Sequence, residues 1–195
     1  MNLTEAKASL RKSQLAALRE IPIPQRAGWS ALIVTRLCAL PCWSQAQSVM
    51  MYAPMVNEPD LLPLLESGKR MIFPKVTPLG LTLHVVTAVD QLVSSTNRLR
   101  EPNVAQCPEV SLAEVDLVVI PGLAFDRQNG IRLGRGGGYY DRLLSHASFR
   151  ARPVGVCFQC QVMDSLPREA HDLAVEKIVT EQETTSLMRV SAFGR

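Results

Sequence analysis

Residues 116–144 read DLVVIPGLAFDRQNGIRLGRGGGYYDRLL and contain the strongest structural pattern of the chain. The run 117–120 is apolar and rich in β-branched side chains, which predicts a buried strand. A Pro-Gly pair at 121–122 would end that strand. A glycine-dense turn follows at 134–138, and residues 139–144 have the pattern of a helix start. The stretch therefore predicts a strand, a glycine-rich loop and a helix in succession.

This succession of elements is a common way to bind phosphate. Glycines let backbone N–H groups approach an anion closely, and the start of a helix adds partial positive charge. Arg132 and Arg135 flank the loop, and a guanidinium can donate paired hydrogen bonds to phosphate oxygens. A flexible surface linker is the alternative, but linkers do not usually join a buried strand to a helix. The glycine spacing matches neither the dinucleotide-binding pattern GxGxxG nor the P-loop pattern GxxxxGK, so neither of those folds is predicted.

Composition indicates an ordinary globular protein. Hydrophobic residues make up 47% of the chain and charged residues 20%, and the length of 195 residues predicts one domain over 1–195. The net charge of +3 is too small to indicate nucleic acid by itself. No apolar run approaches the ~18 residues of a membrane span, and the N-terminus lacks the apolar core of a signal peptide. We expect a cytoplasmic monomer with no membrane partner and no nucleic-acid partner.

Five cysteines stand at positions 38, 42, 107, 157 and 160. An odd count without an export signal favours reduced thiols. Cys157 and Cys160 form a CxxC pattern, which could indicate a redox pair or half of a zinc site. A redox pair normally opens a helix, however, and this one closes an apolar run. We expect these cysteines to be small buried side chains.

The remaining apolar patterns predict an α/β protein. Helices are expected from Thr4, as N-cap, to Glu20, and over 24–40 and 61–66. Further strands are expected at 48–53, 70–74, 153–158 and 175–180, with an edge or hairpin strand at 81–87. Alternating strands and helices predict a mainly parallel central sheet with helices on both faces.

Ligands of such sheets bind beyond the carboxyl ends of the strands. Polar residues that directly follow predicted strands are Glu58, Lys75, the glycine loop and Gln161, so we expect them to converge. From its position alone, Glu58 is more typical of a helix-capping residue. The irregular segment 97–108 is expected to cover the site.

Lys7 and Arg11 lie one helical turn apart on the first predicted helix and project from one face. Their spacing alone favours a solvated basic surface. Sequence chemistry as a whole supports a phosphorylated ligand, with a nucleotide and Mg²⁺ as the main candidates.

The runs 121–126 and 132–141 together resemble the signature of the 5-formyltetrahydrofolate cyclo-ligases, also called 5,10-methenyltetrahydrofolate synthetases. The Lys-x-x-Leu-Arg pattern at 7–11 and the Phe-x-x-Gln pattern at 158–161 are also similar to segments of that family. The resemblance extends over nearly the whole chain and is strongest at 116–142.

The resemblance implies a three-layer α/β/α sandwich and an ATP-dependent ligase. In that family ATP and 5-formyltetrahydrofolate give ADP, phosphate and 5,10-methenyltetrahydrofolate. The γ-phosphoryl group is thought to move to the formyl oxygen, after which N10 of the folate closes the ring. No protein nucleophile is needed, which agrees with the lack of a convincing Ser/His/Asp or Cys/His set in the sequence.

The resemblance also implies site residues. We predict Arg135 as the catalytic residue that stabilises the transferred phosphoryl group. Glu58 and Ala53 are expected to contact the folate substrate, and Asp141 and Asp172 to bind Mg²⁺. The residues expected to bind ATP are Lys7, Arg11, Arg132, Leu133, Gly134, Arg135, Gly136, Gly137, Gly138, Tyr139 and Tyr140. Either tyrosine could instead pack on the folate or belong to the core.

Two other functions are weighed against this one. A non-catalytic nucleotide- or RNA-binding module is possible, because an arginine-glycine stretch can contact RNA phosphates. The mild net charge and the lack of aromatic residues interleaved with basic ones argue against it. A degenerate regulatory relative is disfavoured because the motif is complete.

Overall fold

The computed structural model describes residues 2–95, 99–169 and 172–187. Its α-helices are α1 (Leu3–Glu20), α2 (Ile23–Cys38), α3 (Pro41–Gln45) and α4 (Tyr139–Leu144). Its strands are β1 (Ser48–Met50), β2 (Arg70–Thr77), β3 (Gly80–Val85), β4 (Leu92–Ser94), β5 (Arg100–Pro102), β6 (Glu109–Val110), β7 (Leu117–Pro121), β8 (Ala124–Asp126), β9 (Arg132–Leu133), β10 (Arg152–Val156), β11 (Val162–Met163), β12 (Lys177–Val179) and β13 (Thr184–Ser186). None of the helices described is long and apolar enough to span a bilayer.

An eight-stranded sheet with the order β13-β12-β10-β7-β1-β2-β3-β6 forms the centre of the fold. The five adjacent strands from β12 to β2 are parallel to one another. Strand β13 at one edge and strands β3 and β6 towards the other pair antiparallel with their neighbours. The prediction of a mainly parallel sheet is confirmed at the centre, while the whole sheet is mixed.

Strand β7 shows why the fold has three layers. Leu117, Val118, Val119 and Ile120 are all fully buried. Successive side chains of a strand point to opposite faces, so Leu117 and Val119 join one core cluster and Val118 and Ile120 the other. The first cluster includes side chains of α1 and α2, and the second includes those of α4. A strand covered on both faces is what a parallel α/β/α sandwich requires.

Two predictions about helices were wrong in detail, one at the start of α1 and one in the type of the helix after β1. Asn2, and not Thr4, caps α1: its side chain accepts from the Glu5 N–H at 2.9 Å, and the Glu5 carboxylate accepts from the Asn2 N–H at 2.9 Å. The helix expected at 61–66 is a 3₁₀ helix, Leu62–Ser67, which ends at Gly68 with a positive φ of 76°.

Two small sheets lie outside the main one and were not predicted. Strands β11, β8 and β9 form the first, and strands β4 and β5 form the second. Strand β5 falls within the segment 97–108 that was expected to be irregular, of which residues 97 and 98 lie outside the described part of the chain. Strands β8 and β9 lead directly into the glycine loop, so they set its position relative to the sheet.

Phe125 of β8 is fully buried against the main sheet. Two glycines leave the space that its ring occupies. A Cβ atom at Gly122 would lie 2.7 Å from the Phe125 ring, and one at Gly155 of β10 would overlap that ring directly. Such contacts are shorter than any that packed carbon atoms tolerate. Glycine at both positions therefore lets β8 sit close above β7 and β10.

We predict that Gly155→Ala destabilises the protein by roughly 1–3 kcal/mol, because the new methyl group overpacks the site of Phe125. The free energy of unfolding in urea measures the effect. Gly28→Ala is the matched control: Gly28 lies in α2 with open space around its α-carbon, so alanine should stabilise the helix by about 0.5–1 kcal/mol. Equal changes in the two variants would contradict this packing account.

Candidate active site

A cavity of about 400 Å³ lies beyond the carboxyl ends of β1 and β7. Residues that directly follow β1 line it, as do the last residue of β7 and the glycine that follows. All residues to which the family resemblance assigns a role line this cavity, namely Lys7, Arg11, Ala53, Glu58, the continuous run 132–141, and Asp172. The structure therefore brings the whole predicted set together, while the role of each residue stays a prediction.

Two residues expected to converge there do not line the cavity. Gln161 is 1% exposed, and its side-chain amide donates to the carbonyl oxygens of Gly122 at 2.8 Å and Leu123 at 3.2 Å. It thus holds the turn after β7 from inside the protein. The Lys75 ammonium instead lies 3.4 Å from the carboxylate of Glu101. Lys75 lies within β2, which extends to Thr77, and not after a strand as predicted. Gln161 does follow β10 and its loop, but its side chain points inward.

Arg132 is the most deeply buried cation of the glycine loop. Its Nη2 donates to Asp141 Oδ1 at 3.0 Å, and its guanidinium lies 5.3 Å from the ring centre of Tyr140. A Cβ atom at Gly134 would come within 2.6 Å of Arg132 Nη1, so a larger residue there would have to displace the guanidinium. Arg132 Nε is buried and has no hydrogen-bond partner among the described residues. An unpaired buried donor costs about 1–3 kcal/mol, so this atom fits an anionic oxygen from a ligand.

The backbone of the loop is held in conformations that favour glycine. Gly136 has a φ of 103° and Gly138 a φ of 65°. Arg11 Nε donates to the Gly134 carbonyl at 2.9 Å and so ties α1 to the loop. Helix α4, which begins at Tyr139, has only six residues, so its dipole is smaller than a long helix would provide. The guanidinium groups therefore supply most of the positive charge.

Lys7 is buried, contrary to the solvated basic surface that its spacing alone favoured. Its Nζ donates to Asp172 Oδ2 at 2.6 Å and to Glu169 Oε2 at 2.7 Å. Burial by itself would lower the pKa of Lys7, but hydrogen bonds to Asp172 and Glu169 and their negative charges outweigh it and raise the pKa above the ordinary value. Glu169 also lines the cavity and was missed, because no motif marks it.

An ion pair joins the glycine loop to the loop after β1. Arg135 donates to Glu58 Oε1 from Nε at 3.0 Å and from Nη2 at 2.9 Å. The second oxygen of Glu58 accepts from the Met55 N–H at 3.0 Å. Glu58 therefore does not cap a helix, and its side chain is only 9% exposed.

Next to this ion pair the cavity wall is apolar and aromatic. Burial and then the negative charge of Glu58 raise the pKa of Tyr140, while the charge of Arg132 partly opposes them, so the phenol stays protonated. Five further lining residues carry apolar side chains and were not predicted for the site: Met55, Pro74, Val76, Leu81 and Leu99. The charged residues Arg100 and Glu101 also line the cavity. Such a wall suits a flat ring with polar edges.

The two predicted metal ligands, Asp141 and Asp172, already accept hydrogen bonds from cations of the protein. Within the described ranges, no three His, Cys, Asp or Glu side chains form a cluster that could hold a metal ion. Mg²⁺ commonly takes one or two carboxylates together with phosphate oxygens and water. This donor set therefore fits a Mg²⁺ ion that arrives with a nucleotide rather than one held by the protein alone.

The cysteines lie away from this cavity lining. All five are free, and three of them are buried, but Cys38 and Cys160 are exposed, which corrects the expectation of uniformly buried side chains. Burial raises the pKa of the Cys157 thiol, so Cys157 does not favour the reactive thiolate form.

Fold and cavity together define an α/β protein that can hold a phosphorylated ligand against a flat, partly apolar one. Comparison of the sequence with known protein families identifies the family of this chain. The model of the 5-formyltetrahydrofolate cyclo-ligase family matches residues 3–181, and the chain belongs to that family.

Individual relatives agree with this assignment. The chain is 31% identical over 193 residues to the 5-formyltetrahydrofolate cyclo-ligase of Mycolicibacterium smegmatis, covering 94% of this chain and 98% of that protein. It is 32% identical over 157 residues to the enzyme of that name from Escherichia coli, covering 75% and 84%. The solved 5,10-methenyltetrahydrofolate synthetase of Aquifex aeolicus superposes with a TM-score of 0.82 at 33% identity, covering 97% and 96% of the two chains.

We predict that Lys7→Met lowers the free energy of unfolding at pH 7 by about 2 kcal/mol, because it removes charged hydrogen bonds to Asp172 and Glu169. The pKa of Lys7 in the folded protein lies above its ordinary value of 10.5. The contribution of the ammonium to the free energy of unfolding is therefore fully present below pH 10.5. It is lost only as the pH rises through the folded pKa. The stability difference between wild type and variant should therefore be constant from pH 7 to about 10 and shrink above.

Arg70→Met is the control for this series. It breaks an exposed ion pair with Glu114, which should change stability little. Urea unfolding at each pH measures both variants. A Lys7→Met difference that already vanished between pH 7 and pH 9 would contradict the assignment of a buried, charged Lys7.

Proposed function

We propose that the protein converts 5-formyltetrahydrofolate to 5,10-methenyltetrahydrofolate in a reaction that consumes ATP and releases ADP and phosphate. The observation that carries this proposal is the contact between the two halves of the cavity. Arg135 of the glycine loop and Glu58 beside the apolar wall are 2.9 Å apart. Groups suited to phosphate and groups suited to a pterin ring are thus adjacent, as a transfer between a nucleotide and a folate requires.

The chemical problem is that an N-formyl group is an amide. Its carbonyl carbon is a poor electrophile, and its oxygen would otherwise have to leave as water or hydroxide. Transfer of the γ-phosphoryl group to the formyl oxygen breaks the bond to ADP and makes the oxygen part of a phosphate leaving group. The N10 lone pair then attacks the formyl carbon, N10 gives up its proton to the departing phosphate or to water, and the C–O bond breaks to release phosphate. The protein contributes positioning and charge stabilisation, with no nucleophile of its own.

On the nucleotide side, Lys7, Arg11 and Arg132 hold the triphosphate together with the N–H groups of residues 133–140. The unpaired Nε of Arg132 supports this role, because a phosphate oxygen would supply the partner that the atom lacks. The side chain of Arg135 is 32% exposed, so its guanidinium has room to move with the phosphoryl group during the transfer. We therefore assign it the catalytic role.

On the folate side, Glu58 and Ala53 contact the substrate. The ring N–H and amino groups of a pterin are hydrogen-bond donors, and the Glu58 carboxylate is an acceptor. The apolar wall covers the face of the ring system.

Mg²⁺ is the expected cofactor, with Asp141 and Asp172 as its protein ligands. Bound with ATP, the ion would neutralise phosphate charge during the transfer. A cytoplasmic location, a single domain and a monomeric state remain predictions from the sequence.

The direct test mixes purified protein, Mg-ATP and 5-formyltetrahydrofolate and follows the absorbance of the methenyl product. We expect the chromophore to form with ATP and not when ATP is omitted. Folded protein that forms no methenyl product, but binds RNA in a salt-sensitive manner, would favour the non-catalytic alternative instead.

We predict that Arg135→Ala lowers kcat by about 10²–10³-fold, because it removes a donor that stabilises developing charge. The affinity for nucleotide should change much less. Arg135→Lys should restore only part of the rate, since an ammonium lacks the planar fork of a guanidinium. Arg127→Ala is the control: it removes a guanidinium from an ion pair with Glu183 outside the cavity lining. An unchanged kcat in Arg135→Ala would reject the catalytic role.

A further inference from the structure

Glu58 and Arg135 form an ion pair in the lining of the cavity. Both donor atoms of Arg135 that reach Glu58 point at the same oxygen, Oε1, at 3.0 and 2.9 Å. The two residues are 77 positions apart in sequence, and both line the cavity. Glu58 is nearly buried and its other oxygen is held by the Met55 N–H, so it cannot easily turn towards solvent.

The functions assigned above require each residue for a different ligand. Arg135 would bind phosphate and Glu58 would bind the pterin ring. Each ligand must therefore compete with the ion pair between the two residues. A guanidinium that moves to a triphosphate leaves the Glu58 carboxylate without its main partner. A nearly buried carboxylate without a partner is costly, and it becomes a better acceptor for the next donor that arrives.

We propose that Glu58 is the positioning residue for Arg135 in the nucleotide-free protein, and that breaking their ion pair couples the binding of ATP to the binding of the folate. This inference rests on the proposed function. Whichever ligand binds first breaks the pair, and the second ligand binds to a site in which its residue is already released. By linkage, each ligand then raises the affinity for the other by the same factor.

The ion pair also holds the glycine loop in place. Arg135 is anchored by Glu58, and the carbonyl of the preceding Gly134 is anchored by Arg11 at 2.9 Å. The loop is thus held at two successive residues across the cavity. Nucleotide binding replaces the first anchor with phosphate oxygens and leaves the second intact.

The test measures the Kd of the magnesium complex of a non-hydrolysable ATP analogue, with and without saturating 5-formyltetrahydrofolate. For the wild type we expect the folate to tighten nucleotide binding about tenfold, within the usual range of coupling between two sites. In Glu58→Gln the pair is absent, so the nucleotide alone should bind roughly fivefold more tightly than to the wild type, and the coupling should fall towards onefold. A residue with a purely structural role would not improve nucleotide binding when it is removed.

Glu101→Gln is the matched control. Glu101 is 5% exposed and lines the same cavity, but its carboxylate accepts from the Val76 N–H at 3.1 Å and lies near Lys75. The substitution removes the same negative charge from the same cavity without touching Arg135. It therefore reports how much a general change of charge strengthens anion binding. Its folate–nucleotide coupling should stay at the wild-type value.

Arg135→Gln removes the other member of the ion pair. It tests the same coupling if Glu58→Gln does not fold. With Glu58 released, 5-formyltetrahydrofolate alone should bind more tightly than it does to the wild type. The inference is overturned if Glu58→Gln binds nucleotide no more tightly than Glu101→Gln, or if the coupling persists in a folded Glu58→Gln or Arg135→Gln variant.

The outcomes separate this inference from the proposed function. Wild-type protein that forms the methenyl product but shows no coupling would refute the ion-pair exchange alone. Wild-type protein that forms no product would refute the proposed function, whatever the nucleotide affinities of the variants.

Discussion

Positive side chains that converge on a partly buried cavity must be paired before any ligand arrives, and this constraint organises the site. Unpaired charges of one sign would repel each other and lose their hydration. The protein provides an acceptor for each of the four cations predicted for the site. The pairs are Lys7 with Asp172 and Glu169, Arg11 with the Gly134 carbonyl, Arg132 with Asp141, and Arg135 with Glu58. Under the proposed function, a phosphorylated ligand and its metal would take the places of the carboxylate partners, so ligand binding would be an exchange of partners for Lys7, Arg132 and Arg135. This arrangement explains why carboxylates assigned to metal or substrate are found in ion pairs.

Periodicity predicted the centre of the fold but not its edges. The run 117–120 is apolar without alternation, and only a strand covered on both faces can bury such a run. The edges depend on contacts that one segment does not contain. Strand β13 has three residues of intermediate or full exposure and is held by its pairing with β12, so no apolar pattern marks it. Helix α1 begins at a capping box set by Asn2, although Thr4 is an equally suitable residue type.

In the candidate site, too, features of one segment could be predicted, and features that depend on contacts between distant segments could not. The glycine run and its flanking arginines could be found because backbone conformation and charge are local properties. The burial of Lys7 could not, because the covering acids lie 162 and 165 residues away in the chain. Gln161 was placed wrongly for a related reason: it follows a strand, yet its amide satisfies two inward-facing carbonyls. The apolar wall is formed by single residues of several segments, and no spacing rule connects them.

The central claim is that the paired cations of this cavity exchange their protein partners for the phosphates of a nucleotide. A crystal structure with a magnesium-bound, non-hydrolysable ATP analogue tests it most directly. The account predicts triphosphate oxygens in contact with the N–H groups of the glycine loop, with Arg132 Nε newly hydrogen-bonded and with Arg135 moved away from Glu58. A nucleotide bound elsewhere on the protein, or one bound here while Arg135 still donates to Glu58, would contradict it.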